Sequence, residues 1–302
     1  MPEKAKHTDA DLPSTPVVVP DKMPDITEKI QREARRLLEE QKVDLVIGFE
    51  QGWDDEVVTP CFLTRASQAD RLVFDKRCSH NLAKYLVGSE GYLTSRFRGE
   101  DQKPRVALVA GPAAMRTIAG LIQEHQFSRE DVTVLGIVDG TPVGIEPDIL
   151  AGQIEEDREA GEKLAVELQK LEAMSVSEHQ GWWDQQFSKC IRCYACRQVC
   201  PFCYCEQCIV DENQPQWIDK SPSSQNNVSW NIIRAFHLVG RCTSCGECER
   251  ACPMKIPLML LNATLVEKVR NTFDYVAGTD MEERLDFAAF QLDSDDSSGG
   301  GE

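Results

Sequence analysis

The sequence has no apolar run near the ~20 residues that a membrane-crossing helix requires; its longest are 106–110 and 256–261. No transmembrane segment is therefore expected. A basic surface is also missing, since 33 Lys and Arg stand against 50 Asp and Glu for a formal net charge of −17. Such a balance repels phosphate backbones and anionic lipid, which argues against nucleic-acid binding. Histidine is scarce, at 7, 80, 125, 179 and 237, and none shares with a Ser or spare Cys a short spacing that suggests a nucleophile pair. Surface or capping positions are expected for all five. The chain does not open on a charged segment followed by an apolar one, and its thirteen cysteines are an odd number. Both features point to a reducing, cytoplasmic setting rather than to extracellular disulfides. There is no G-x-G-x-x-G, and the turn VAGPAAMR (109–116) offers one glycine followed by proline, leaving few free amides for a pyrophosphate.

What is present is thiol. The stretch KCIRCYACRQVCPFCYCEQC (189–208) places seven cysteines within nineteen residues, and a chain of this length can bury a core without such staples. Cys190, Cys193, Cys196 and Cys200 followed by Pro201 spell C-x2-C-x2-C-x3-C-P. Cys242, Cys245, Cys248 and Cys252 followed by Pro253 spell it again, 52 residues on. A cubane accepts three thiolates from one tight loop, while the fourth cysteine, redirected by the proline, reaches the other cluster. Two 4Fe-4S clusters with crossed ligands are expected: Cys190, Cys193, Cys196 and Cys252 for one, Cys242, Cys245, Cys248 and Cys200 for the other. Structural zinc prefers two separated C-x2-C pairs and has no use for the third cysteine or the proline.

Cys203, Cys205 and Cys208 exceed the needs of two clusters. They suggest a third centre lacking one ligand, for which Cys78 is the candidate: the pattern places it at the start of a helix from 78 or 79 to 86, where amides and the dipole favour an anionic cluster. Cys61, mid-strand beside Phe62, reads as a small buried hydrophobe. The alternative is that the trio is uncoordinated or binds only zinc. Lys189, Arg192 and Arg197 flank the first loop, and Arg241, Arg250 and Lys255 the second. They either tune potential or simply keep an acidic surface mixed. Trp182, Trp183, Tyr194, Phe202 and Tyr204 are expected to shield the clusters from water.

The pattern upstream is different. Five prolines in residues 1–24 predict an extended, disordered leader. Residues 25–145 read as an α/β domain with a mainly parallel sheet: a helix over 25–42, strands at 43–50, 59–65 and 71–74, then strand 105–111, helix 112–126 and strand 132–140 as a parallel crossover unit. A linker and charged helix follow over 146–181, the helix itself at about 153–172. A dicluster ferredoxin domain of bacterial type spans 182–265, and a helix end with an acidic tail fills 266–302. The fold class expected is α+β overall.

The combination of CIRCYACRQVCPFCYCEQC, GRCTSCGECERACPMKIPLMLLN and FDYVAG with the upstream CSHNLAKYL resembles the iron–sulfur β subunits of deazaflavin-dependent hydrogenases and formate dehydrogenases. Relatives of these subunits accompany heterodisulfide-reductase-like complexes. The resemblance is specific over the two cysteine loops and looser over the α/β half. It implies an electron-transfer subunit without catalytic residues of its own, relaying electrons through the eight repeat cysteines' clusters. The donor and acceptor would be a catalytic dehydrogenase or hydrogenase subunit and a flavin-containing heterodisulfide-reductase-like partner. Deazaflavin-reducing members also hold FAD, and the alternative reading is an FAD-containing β subunit that itself reduces a deazaflavin or nicotinamide. A third reading has the clusters serving mainly to fold the domain.

Overall fold

A computed structural model describes residues 24–94, 103–138, 141–143, 162–212 and 214–281. The expected leader up to 23, the first part of the charged helix (153–161) and the acidic tail from 282 lie outside the described residues.

Helix α1 (Pro24–Glu39) buries Ile26, Ile30, Ala34 and Leu37, the three-and-four spacing that puts one helix face on a core. Gln41, at φ 52°, turns the chain out of it. Strand β1 (Leu45–Gln51) buries its first five residues, β2 is Val58–Leu63, and β3 (Val106–Ala110) is buried along its whole length. Such near-continuous apolar runs mark strands covered on both faces. Helix α2 (Pro112–Gln123), with Pro112 in its first turn, crosses over to β4 (Val132–Val138), and β5 is Thr141–Val143. The sheet order is β2-β1-β3-β4-β5. The inner three strands run parallel and the two edges antiparallel, so the mainly parallel sheet of a mixed α and β chain is confirmed.

Two expected elements differ. Residues 71–74 form no strand, only a bridge between Glu50 and Leu72. Side chains of α1 occupy their backbone: Gln31 Nε2 donates to Leu72 O at 2.8 Å, and Thr27 Oγ1 exchanges hydrogen bonds with both the carbonyl and the amide of Phe74. The helix expected to begin at Cys78 or Ser79 is a single 3-10 turn, Leu82–Leu86, capped by Asn81, whose side chain accepts from Ala83 N. A short polar residue takes the cap, and Cys78 lies in the turn before it, without a helix terminus. Helix α2 also stops three residues short of 126, because His125 adopts φ 53°.

The second half consists of α3 (Glu162–Glu172), α4 (Val176–Ser188), α5 (Ala195–Gln198), α6 (Ser224–Phe236), α7 (Glu247–Arg250) and α8 (Leu258–Phe273). Ser175 and Glu178 close a capping box on α4, which runs through Trp182, the expected domain start. One core holds Leu171, Trp183, Phe187, Ala235, Ile256, Met259 and Leu260, so α3 and α4 pack with the cysteine loops rather than linking to them. Among the described residues, no helix is long and apolar enough to cross a membrane.

Helix α2 joins the halves. Thr117 Oγ1 receives Asn81 Nδ2 at 2.8 Å and pairs with Thr243 Oγ1 at 2.9 Å, while Arg116 donates to Thr243 O. At its end, Glu124 accepts from Arg241 and from Tyr204 OH. The segment after α8 returns to the same helix. Gly278 sits there at φ +76°, and a Cβ added to it would lie 2.1 Å from Arg116 O. Left-handed backbone costs a non-glycine residue roughly 1–2 kcal/mol, and here the obstacle is main chain that cannot rotate away. Gly278→Ala is therefore expected to destabilise by more than that and to detach the segment, read as faster proteolysis after residue 273 with the rest of the chain intact.

Candidate metal centre

The cysteine repeat is also a backbone repeat. Arg192 and Tyr194, either side of Cys193, have φ 57° and 60°; Ser244 and Gly246, either side of Cys245, have φ 56° and 77°. Left-handed residues alternating with ordinary ones turn successive amides toward one concavity, a nest for an anion. Each loop then enters one helical turn, α5 after the first and α7 after the second. Three of the four left-handed residues are not glycine, so each loop holds conformations that cost free energy unless something inside compensates.

Cysteines of the two motifs stand near one another. Cys200, from the first motif, lines one cavity together with Cys242, Cys245 and Cys248 from the second, closed by Phe202, Arg234, Leu238, Thr243, Met259 and Asn262. Cys196 has Cys190, Cys252 and Cys193 around it, Cys252 coming from the second motif. Amides and side-chain N–H groups point at these sulfurs: Ile256 N lies 3.5 Å from Cys252 Sγ, and Asn262 Nδ2 3.5 Å from Cys248 Sγ. Among the described residues, no three His, Cys, Asp or Glu stand close enough to hold a single metal ion. Four sulfurs around one small cavity, with unpartnered Arg234 Nε and Asn262 Oδ1 nearby, are the donor chemistry that a 4Fe-4S cluster takes.

Burial raises thiols in both sets. Burial pushes the Cys245 thiol up to about 12 and that of Cys248 well above its ordinary value, with Cys242 and Cys196 raised as well. Thiols so enclosed stay protonated by themselves and give up the proton to a metal. Cys193 is exposed, whereas Cys200 and Cys248 are buried, so the first set meets solvent and the second lies against the α/β half. Trp182, Trp183 and Phe187 form a stacked and edge-on series beside this core. Trp230 packs edge-on to Tyr194 at 4.9 Å.

The remaining predicted residues differ in their surroundings. Cys203 hydrogen-bonds Cys200, lowering the Cys200 thiol and raising its own. Cys205 is exposed, and Cys208 packs beside Val210, Ile218 and Trp230. Cys78 is buried, donates to Val73 O and accepts from Asp75 N at 3.4 Å; burial and neighbours that include Cys61 push its thiol up to about 12. Cys61 is 2% exposed within the same core and is likewise pushed up to about 12 by burial.

Several residues at the centre had been read otherwise or not at all. His80, expected at the surface or a cap, bonds Glu247 at 2.6 Å across the junction. Burial pushes the Glu247 carboxyl up, but His80 and Arg250 outweigh it and hold it below the ordinary value. Arg250 donates to Cys245 O at 2.7 Å and to Ser79 O at 3.0 Å, which gives this flanking cation a structural task. Helix α6, in the insertion between the motifs, organises the first loop: Asn227 Nδ2 donates to Cys190 O at 2.8 Å, and Arg234 Nη2 to Cys196 O at 2.8 Å. Asn227, Trp230, Asn231 and Arg234 are all buried. Their helical spacing was the available signal, a polar stripe on the face that carries the tryptophan.

Residues 185–256 match the 4Fe-4S dicluster domain family, the class of domain that the doubled loop and its shared cavity define. The chain is 35% identical over 118 residues to the F420-dependent formate dehydrogenase subunit beta of Methanocaldococcus jannaschii, an alignment covering 39% of this chain and 31% of that protein. It is 35% identical over 100 residues to the F420-dependent formate dehydrogenase 1 subunit beta of Methanococcus maripaludis, covering 33% and 25%. The chain thus matches about a third or less of the length of these relatives. The matches relate it to an iron–sulfur β-subunit family.

Proposed function

We propose that this chain is an electron-transfer subunit of an oxidoreductase complex. In it, Cys190, Cys193, Cys196 and Cys252 hold one 4Fe-4S cluster, and Cys242, Cys245, Cys248 and Cys200 the other. The observation that carries this reading is the shared cavity, in which a cysteine of the first motif stands with three of the second. When bound, the clusters supply one-electron transfer and nothing else. The chain's own part is to bind and to insulate: the two nests turn amides inward, Asn262 and Ile256 direct N–H groups at ligand sulfurs, and the aromatic series keeps water out. The exposed Cys193 loop offers a side from which a redox partner can approach.

The relatives' names support a place beside a formate-oxidising catalytic subunit; a flavin-containing heterodisulfide-reductase-like protein as the other partner is what the family resemblance suggests. This reading leaves out the third centre at Cys78, Cys203, Cys205 and Cys208, of which Cys78 is buried and Cys205 exposed. Protein prepared without oxygen is expected to contain about eight iron and eight sulfide per chain. About twelve would restore the third centre, and iron-free, colourless protein would remove the proposal. A flavin band persisting after acid destroys the clusters would favour the FAD-containing alternative, and partners recovered under anoxic pull-down would test the assembly.

A further inference from the structure

Arg234 is 5% exposed and lies between the two cysteine sets. Its Nη2 donates to the carbonyl of Cys196, a first-set residue, at 2.8 Å, and its side chain lines the cavity of Cys200, Cys242, Cys245 and Cys248. Among the described residues it makes no salt bridge, and its Nε has no hydrogen-bond partner. A buried cation without a counter-ion costs several kcal/mol, so a helix that inserts one here needs an anion on the inner side. A guanidinium suits the position, being charged at any working pH and more weakly hydrated than an ammonium.

The geometry points to Arg234 as a single cation shared by both clusters, which raises the reduction potential of each and screens one from the charge of the other. This rests on the assignment of the eight repeat cysteines to two cubanes. Each four-thiolate cluster is anionic and gains a further negative charge with the electron it accepts, so a fixed cation beside it stabilises the reduced state more than the oxidised. Helix α6 belongs to the insertion between the motifs, so the insertion places this charge.

The test is an anoxic potentiometric titration of the full chain, followed by electron paramagnetic resonance, on wild type, Arg234→Gln and Arg234→Lys, each first assayed for iron and sulfide. Arg234→Gln is expected to keep its iron and to lower both midpoints, each by at least a tenfold change in the reduction equilibrium, or 59 mV for a one-electron couple. Arg234→Lys, which keeps the charge, is expected to shift both by less. A fully loaded glutamine variant with either midpoint unmoved overturns the shared role. Should that variant not take up iron, a loaded lysine variant with near wild-type midpoints supports the inference. A loaded lysine variant with both midpoints lowered tenfold or more, or a lysine variant that also fails to load, overturns it. An iron-free wild type would defeat the cluster assignment itself, whereas a loaded wild type with an unmoved glutamine variant defeats only this inference.

Discussion

Cys252→Ser is expected to abolish the same cluster as Cys193→Ser, although the two residues lie in different motifs; Cys200→Ser is expected to abolish the one lost in Cys245→Ser. The pairing follows from the crossing, since Cys196 is surrounded by Cys190, Cys193 and Cys252, and Cys200 shares a cavity with Cys242, Cys245 and Cys248. Each single variant should lose about half of its iron and one of two resonance signals on reduction. Metal-binding free energy is also folding free energy for such a domain, so the losses should differ in kind. Cys193 is exposed and Cys248 buried, and the second set packs against α2 through Thr243 and Arg116. Losing the second cluster should therefore loosen the junction with the α/β half. Losing the first should leave that junction intact and open only the solvent-facing loop. If Cys200→Ser and Cys193→Ser remove the same signal, each motif holds its own cluster and the crossed arrangement is wrong.

What could be read in advance follows the range of the interaction. Cysteine loops are local, with spacing and trailing proline encoding the turn, and both motifs appear in the structure as the same succession of left-handed residues and one helical turn. The glycine at 246 announces that geometry, but Tyr194 and Arg192 do not, because nothing in those residue types calls for positive φ. The parallel strands were legible because β1 and β3 are apolar along almost their whole length. Strand 71–74 was misread because its hydrogen-bonding groups are taken by Thr27 and Gln31, over forty residues away, and no local pattern reports such competition. Arg234 is the sharpest case. It reaches the cysteines through space rather than along the chain, from the buried face of a helix whose exposed residues look ordinary.

Glu124→Ala is expected to cost ~3 kcal/mol, the low end for breaking a buried ion pair, and to weaken the junction more than any change at the surface pairs. Glu124 ends α2, in the α/β half, and accepts from Arg241 through both of its carboxylate oxygens, with Arg241 Nη2 at 2.7 Å, and from Tyr204 OH at 2.8 Å. The two charged side chains keep only 27% and 22% exposure. Arg241 also lies 5.4 Å from the Tyr204 ring and 5.6 Å from that of Phe202, and Phe202 in turn abuts Gly120 on α2. Removing the carboxylate leaves a guanidinium packed among rings, with His237 O at 3.1 Å as its backbone acceptor. Cation–π contact offsets part of that loss, ~0.5–2 kcal/mol, which places the estimate near the low end. The surface pair of Arg35 and Asp70, with Asp70 75% exposed, should cost under ~1 kcal/mol when broken. Denaturant unfolding of the loaded protein under anoxia would measure both. If the penalty comes from a stranded charge, adding Arg241→Met to Glu124→Ala should recover most of it, a coupling that adjacent residues in one network are expected to show. A double variant as unstable as the sum of the two single ones would mean that Glu124 and Arg241 contribute separately.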